Sequence, residues 1–287
     1  MLRCLSTFLS VTCLSLPLLS YQILIENPQT QNLGYDLPNI HGDGEDTVLE
    51  AYLKPGHVVF DVGANIGDWT TAAFAIQESI IIKAFEPIPQ VCQLYTQNVK
   101  SQNAQIFPLA LSEKKGSQTL YVYGPSYDLS GRSSLHHQPT LEHNGEQPTD
   151  KITVTKTTLD RFCREHKIRS IDYLKIDVEG HELSVIRGAR GLLKAKKIKA
   201  VQFEYGYTFH GSEITLKQVY QYLSNRGFLI FRLVPEGLIF IPSWSDSLEN
   251  WKFCNYVGFL PSALKKSWKA KIKPRNGGWA EAKSARF

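Results

Sequence analysis

Three short stretches hold the residues best suited to chemistry. In VVFDVGANIGDWT, Val58 to Thr70, a buried-strand pattern ends on Asp61, and Gly63 and Gly67 bracket Ala64, Asn65 and Ile66 before a helix pattern opens at Trp69. In IIIKAFEP, from Ile80, a second strand pattern ends on Glu86. In LKIDVEGHE, Leu174 to Glu182, the carboxylates Asp177, Glu179 and Glu182 fall just past a third strand pattern, and Glu204 ends the next one, VQFEYG.

Glycine permits a positive φ and lets another body approach with no Cβ in the way. Open amides at a helix start favour an electron-rich partner. Ligands of open α/β sheets sit beyond the carboxyl ends of the strands. The turn from Gly63 to Gly67 therefore reads as the rim of a ligand pocket. The plainer reading is clearance for a helix packed on a strand. A dinucleotide fingerprint needs glycine where Asn65 and Asp68 stand, and a phosphate loop needs G-K-[ST], which is missing. The ligand is then less anionic than a pyrophosphate. Glu86, ending the strand expected beside the turn, can accept two hydrogen bonds from a ribose diol.

If the strands ending in Asp177 and Glu204 are neighbours, four carboxylates meet on one sheet edge. Like charges that close raise one another's pKa. Three resolutions are open: compensation by Lys175 or another cation, a divalent metal, or a carboxyl that stays protonated or titrates high enough to act as a base. Alternatively, Glu179 and Glu182 cap a helix that begins near His181.

The elements around these stretches alternate. Helical spacing in EDTVLEAYL precedes the first strand, and PQVCQLYTQNVKSQ gives a helix with proline in its first turn. AQIFPLAL gives a third strand, so the order is βαβαβ and the fold class α/β, doubly wound and mostly parallel. Residues 112–158 break the rhythm, with SQTLYVYG and KITVTKTTL alternating like antiparallel strands around a polar, turn-rich loop. TLDRFCREHKI, HELSVIRGA and TLKQVYQYLSNRG read as helices, and FLIFRLV and FCNYVGFL as closing strands, about seven in the main sheet.

With 287 residues and 43% hydrophobic content, the chain can bury a substantial core, which excludes disorder as its main theme. The net charge of +5 is uneven: residues 264–287 carry eight Lys or Arg against one Glu, which leaves the remainder at −2. That tail reads as solvated, with contact to an acidic membrane surface as the functional alternative. None of Cys4, Cys13, Cys92, Cys163 and Cys254 forms a C-x-x-C, so no zinc ribbon is indicated and a reducing, cytoplasmic setting is expected. His136, His137 and His143 read as loop residues. The uncharged run from Cys4 to Ile25 is long enough for an anchor and has the start of a signal peptide, but six Ser or Thr and Pro17 count against both. A non-native extension or loosely packed arm over residues 1–30 is the third reading.

VVFDVGANIGDWT, AFEPIPQVCQLYTQNV and TLDRFCREHKIRSIDYLKIDVEGHELSVIRGAR together closely resemble the FkbM family of S-adenosylmethionine-dependent methyltransferases, over roughly residues 45–260. The resemblance implies a seven-stranded Rossmann-like fold with helices on both faces. It sets a methyltransferase domain at 40–262, with 112–158 inserted and 263–287 as a tail. By the family pattern, Asp61, Gly63, Asn65 and Gly67 border the methionine part of S-adenosylmethionine, and Glu86 holds the ribose. Family members mostly methylate hydroxyls of sugars, polyketides and related metabolites. His57 stands where the family often has an acidic residue, and DVEG replaces the [DN]-P-P-[YF] turn of many enzymes acting on planar amino groups.

The chemistry expected is methyl transfer to a hydroxyl of a small molecule or glycan. A base must take the hydroxyl proton. Asp177 is the first candidate, followed by Glu179 and His181, whose unperturbed pKa suits the task. The loop from Gly131 to Asn144 is expected over the acceptor. The alternatives are a non-catalytic S-adenosylmethionine-binding scaffold and an RNA methyltransferase using the basic tail. The second is disfavoured because the lysines lack interleaved stacking aromatics.

Overall fold

The computed structural model describes residues 44–124, 131–235 and 237–264. The N-terminal run, the basic tail and their membrane readings lie outside the described residues. Among those described, no helix is long and apolar enough to cross a membrane.

The elements come in near-alternation. The first half runs α1 (Glu45–Tyr52), β1 (Val58–Val62), α2 (Asp68–Ile76), β2 (Ile81–Phe85), α3 (Pro89–Asn98), β3 (Ala104–Phe107), β4 (Ala110–Leu111) and β5 (Gly116–Val122). Then come α4 (Pro139–His143), β6 (Asp150–Thr157), α5 (Leu159–Glu165), β7 (Tyr173–Ile176), α6 (Glu182–Arg187) and α7 (Arg190–Lys194). The last are β8 (Ala200–Tyr205), α8 (Phe209–Ser212), α9 (Leu216–Ser224), β9 (Leu229–Val234), β10 (Gly237–Ile241) and β11 (Cys254–Phe259).

One sheet has eight strands in the order β10-β9-β11-β8-β7-β1-β2-β3. β1, β2, β3, β7 and β8 pair in parallel. β11 inserts antiparallel between β8 and β9, and β10 folds back on β9. The fold is thus the expected Rossmann-like, mostly parallel sheet. The strand beyond seven is GLIFI, a short run the sequence pattern did not separate from its neighbour.

Side-chain alternation divides the core. On β1, Phe60 and Val62 face the cluster under α5, α6 and α9, and Val59 faces the cluster under α1 and α2. Thr158 caps α5, its side chain accepting from the Arg161 amide at 3.1 Å. Thr215 and Gln218 close a capping box on α9.

AQIFPLAL, expected as one strand, is two. Pro108 has no N–H to continue a ladder, and the chain passes from β3 in the large sheet to β4 in a three-stranded sheet ordered β4-β6-β5. The expected antiparallel pair is β5 with β6, in register from Gly116–Lys156 to Val122–Asp150. This small sheet packs Leu120, Val122 and Val154 against Ile88 and Val91 at the start of α3, beside the carboxyl ends of β1 and β2.

Candidate active site

The parallel strands β1, β2 and β7 end side by side, and a cleft lies beyond them. Gly63, Asn65, Glu86, Asp177, Glu179 and His181 all line it.

The turn after β1 is held mainly by the protein itself. The amides of Gly63 and Ala64 both donate to the Phe85 carbonyl, at 2.9 and 3.0 Å, and Gly67 N donates to the Ala64 carbonyl at 2.9 Å. Gly63 has φ +82°, and a Cβ there would sit 1.7 Å from the Asp177 carbonyl oxygen. Gly67 has φ +95°, and a Cβ there would meet Tyr95 and Val99 of α3. Gly67 therefore provides clearance against Tyr95 and Val99, and Gly63, tight against the Asp177 backbone, also lines the cleft. What the turn offers the cleft is Asn65, whose Oδ1 is buried without a hydrogen-bond partner.

Glu86 ties the turn to the next loop. Its Oε1 accepts from Ile88 N at 2.9 Å and its Oε2 from Asn65 N at 3.3 Å. Burial pushes its pKa up to about 7, against the pull of those two amides.

Asp61 and Gly67 do not line the cleft. Asp61 lies one residue before Val62, beneath the cleft, where its charge still reaches Glu86. There Asp61 is fully buried, accepts from Thr70 Oγ1 at 2.8 Å and lies 3.7 Å from Lys175 Nζ, its directly paired residue on β7. Burial pushes the Asp61 carboxyl up and Lys175 pulls it back. For Lys175, burial alone would lower the pKa, but Asp177, Asp61 and Glu45 outweigh it and hold the ammonium above its ordinary value.

The carboxylate edge forms as the strand order requires. β7 and β8 are parallel neighbours in register up to Ile176–Phe203, and one residue further along each strand stand Asp177 and Glu204. Asp177, Glu179 and Glu204 bring carboxylate oxygens within 4.8 Å of one another. Asp177 Oδ2 lies 3.1 Å from Lys175 Nζ, so the compensation by Lys175 is present for that carboxylate. Burial, with Asp177 and Glu182 adding like charge, holds Glu179 well above the ordinary carboxyl range. Glu204 is raised by burial and by Asp177, Glu179 and Glu182. Glu182 does not join this group. Its Oε1 accepts from Val178 N at 3.1 Å and Gly180 N at 3.3 Å, fixing the loop that presents Glu179.

His181 is committed on both ring nitrogens: Nδ1 is 2.8 Å from His136 Nε2, and Nε2 is 2.9 Å from Ser112 Oγ. Burial, then His136 and Lys156, drive its pKa down to about 3. It is a neutral wall residue whose single N–H and single acceptor nitrogen are both already engaged. His136, expected as a plain loop residue, thus belongs to the site. Its partner lies 45 positions away, a separation that no local pattern reports.

The polar loop does reach the cleft, through Gly131, Ser133 and Leu135. Ser134 Oγ and Gln138 Nε2 both donate to the Glu179 carbonyl, at 2.6 and 2.8 Å. Arg132 pairs with Glu146 at 2.6 Å, and its charge also acts on Glu179.

Comparison with known proteins fits this geometry. The 2-O-methyltransferase NoeI of Sinorhizobium fredii is 26% identical over 164 residues, 55% of this chain and 67% of its own length. The hexuronic acid methyltransferase AglP of Haloferax volcanii is 27% identical over 168 residues, 57% of this chain and 64% of its own. The 31-O-demethyl-FK506 methyltransferase FkbM of Streptomyces tacrolimicus is 30% identical over 159 residues, 47% of this chain and 60% of its own. The chain thus spans about two thirds or less of the length of these relatives. The methyltransferase FkbM domain profile matches residues 61–230, which include both the glycine turn and the carboxylate edge. With more than half of its length matched to that domain, the chain belongs to the FkbM methyltransferase family.

Proposed function

We propose that this protein transfers the methyl group of S-adenosylmethionine to a hydroxyl of a sugar or a related metabolite. The observation that carries this reading is the sharing of one cleft by Asn65 and Glu86 on one side and Asp177 and Glu179 on the other. The first pair suits a nucleoside bearing an amino acid. Glu86 would accept from the ribose diol, and the unpartnered Asn65 Oδ1 suits a donor such as the ammonium group. The cofactor supplies an electrophilic methyl: the acceptor oxygen forms a C–O bond, the C–S bond breaks with its electron pair going to sulfur, and the hydroxyl proton departs.

That proton falls to the carboxylate edge. Asp177 and Glu179 both line the cleft, and both nitrogens of His181 are already hydrogen-bonded. A carboxyl whose pKa is raised toward the working pH is the better proton acceptor, and Glu179 is raised by burial. Asp61 acts at one remove, by holding Lys175 beneath Asp177. Sugar acceptors are favoured by the names of the relatives, a 2-O-methyltransferase and a hexuronic acid methyltransferase.

The test is calorimetry with S-adenosylmethionine, followed by transfer of a labelled methyl group to a panel of saccharides that includes hexuronic acids. Saturable cofactor binding and base-stable label on an oxygen are expected. If the cofactor does not bind, the reading fails. If it binds tightly while no hydroxylated acceptor is ever labelled, the protein is a cofactor-binding scaffold instead.

A further inference from the structure

We infer that Asp177, Glu179 and Glu204 form a binding site for one hard divalent cation on the wall of the cleft. The inference rests on the proposed methyl transfer only for its purpose, since the site itself stands on geometry and charge. Three carboxylate oxygens from the end of β7, the loop after it and β8 lie within 4.8 Å of one another. Ligands on opposite sides of Mg²⁺, at 2.0–2.1 Å each, are about 4.2 Å apart, and on opposite sides of Ca²⁺ about 4.6–5.2 Å. The cluster thus has the span of a Ca²⁺ coordination sphere, and the smaller ions would draw its carboxylates a few tenths of an ångström closer. All its donors are oxygen, which selects Mg²⁺, Mn²⁺ or Ca²⁺ over softer metals.

A second observation is independent of the spacing. Glu179 is 9% exposed, and its Oε2 is buried with no hydrogen-bond partner. A buried carboxylate oxygen without a donor is costly unless something positive reaches it. The loop is nevertheless held in this position from three directions, by Ser134 and Gln138 on the Glu179 carbonyl and by Glu182 on the flanking amides. Charge points the same way. Lys175 is shared between Asp61 and Asp177, and among the described residues neither Glu179 nor Glu204 has an ion-pair partner. With Asp61 included, four carboxylates face the Lys175 ammonium, the Arg132 guanidinium that also acts on Glu179 is already paired with Glu146, and a divalent cation would reduce the remaining negative excess.

Asp177 and Glu179 line the cleft, so coordination positions left open by the protein face the acceptor. An acceptor hydroxyl bound there is polarised and loses its proton more readily. A carboxylate oxygen not engaged by the cation receives that proton. The rival resolution is protonation of Glu179 and Glu204, and it makes opposite predictions for metal binding.

The experiment is titration of the full chain with Mn²⁺, followed by electron paramagnetic resonance, with thermal melting of the same samples and no cofactor added. One saturable Mn²⁺ per chain is expected, displaced by Mg²⁺ or Ca²⁺, with a melting temperature that rises with Mn²⁺. Glu179→Gln and Glu204→Gln should each weaken binding by roughly tenfold or more. Without metal, Glu204→Gln should melt at or above the parent temperature, because a like charge has been removed, which certifies its folding. Absence of saturable binding, or affinity unchanged in both variants, overturns the site. Cofactor calorimetry on the same samples separates the two readings. Cofactor binding without Mn²⁺ binding sinks this inference alone. Mn²⁺ binding without cofactor binding leaves the cation site standing and sinks methyl transfer.

Discussion

Glu86 makes the proposed cofactor site testable through pH. Burial pushes its carboxyl up to about 7. Gripping a ribose diol requires the carboxylate, which accepts from both hydroxyls. The protein without cofactor therefore has to release a proton to bind below neutrality. Apparent affinity should be about half maximal at pH 7, about tenfold below maximum at pH 6 and about a hundredfold below at pH 5. Calorimetry with S-adenosylmethionine between pH 5.5 and 7 reads this, in a range where an α-amino group stays protonated. Glu86→Gln should bind more weakly near pH 7.5, by roughly 10- to 150-fold for a lost charge-assisted interaction of about 1.5–3 kcal/mol. Its affinity should also lose the pH dependence due to position 86. Glu182, also pushed up to about 7, remains in the variant, so the difference between the two slopes belongs to Glu86. Stability of the cofactor-free protein carries the matching sign. A carboxyl raised on folding binds more protons folded than unfolded, so this contribution is present below about pH 4.5 and is lost as pH rises to about 7. The loss is on the order of 3 kcal/mol. Equal slopes for parent and variant would refute the placement of the ribose on Glu86.

Four further outcomes follow from the same geometry. Gly63→Ala should cost roughly 3 kcal/mol or more in chemical denaturation, because φ +82° and a Cβ 1.7 Å from the Asp177 carbonyl cannot both be accommodated. His181, held at about 3, stabilises the fold fully above pH 6.5; denaturation at pH 7 and 5.5 should show about 1.4 kcal/mol lost per unit below 6.5, absent in His181→Gln. Asp177→Asn should lower turnover by roughly 10²–10⁴-fold while calorimetry still detects cofactor binding; full turnover would remove Asp177 from the proton-accepting edge. Thr158→Ala should cost about 1 kcal/mol in denaturation, for the lost cap on the Arg161 amide, with cofactor affinity unchanged.

The parts of the fold legible in the sequence are those governed by local rules. Alternation identified β5 and β6, and the apolar runs ending in Asp61, Glu86 and Asp177 identified the strands that meet at the cleft. The break between Phe107 and Ala110 was also written in the sequence, as Pro108, but an apolar run on both sides concealed it. Resemblance to a family sets Asp61 beside the cofactor; its partners within the protein, Thr70 and Lys175, no local pattern reported. The chain Ser112–His181–His136 was not legible, because its members lie 69 and 45 residues apart and meet only once the small sheet docks.

The glycine turn and the carboxylate edge are mechanically one body. Lys175 joins Asp61 beneath the turn to Asp177 on the edge, and the Gly63 backbone sits against the Asp177 carbonyl. A change on either side is therefore felt on the other, because Asp61 and Asp177 share the one ammonium of Lys175. The other wall of the cleft has a different construction. It is the loop after β5, joined to the edge through Ser134 and Gln138 on the Glu179 carbonyl and through His136 on His181. Substitutions in that loop, at Gly131, Ser133 or Leu135, reshape the cleft without disturbing the Lys175 network. In the proposed reaction, cofactor grip and proton removal would therefore rest on the large sheet, and acceptor choice on the loop that follows β5.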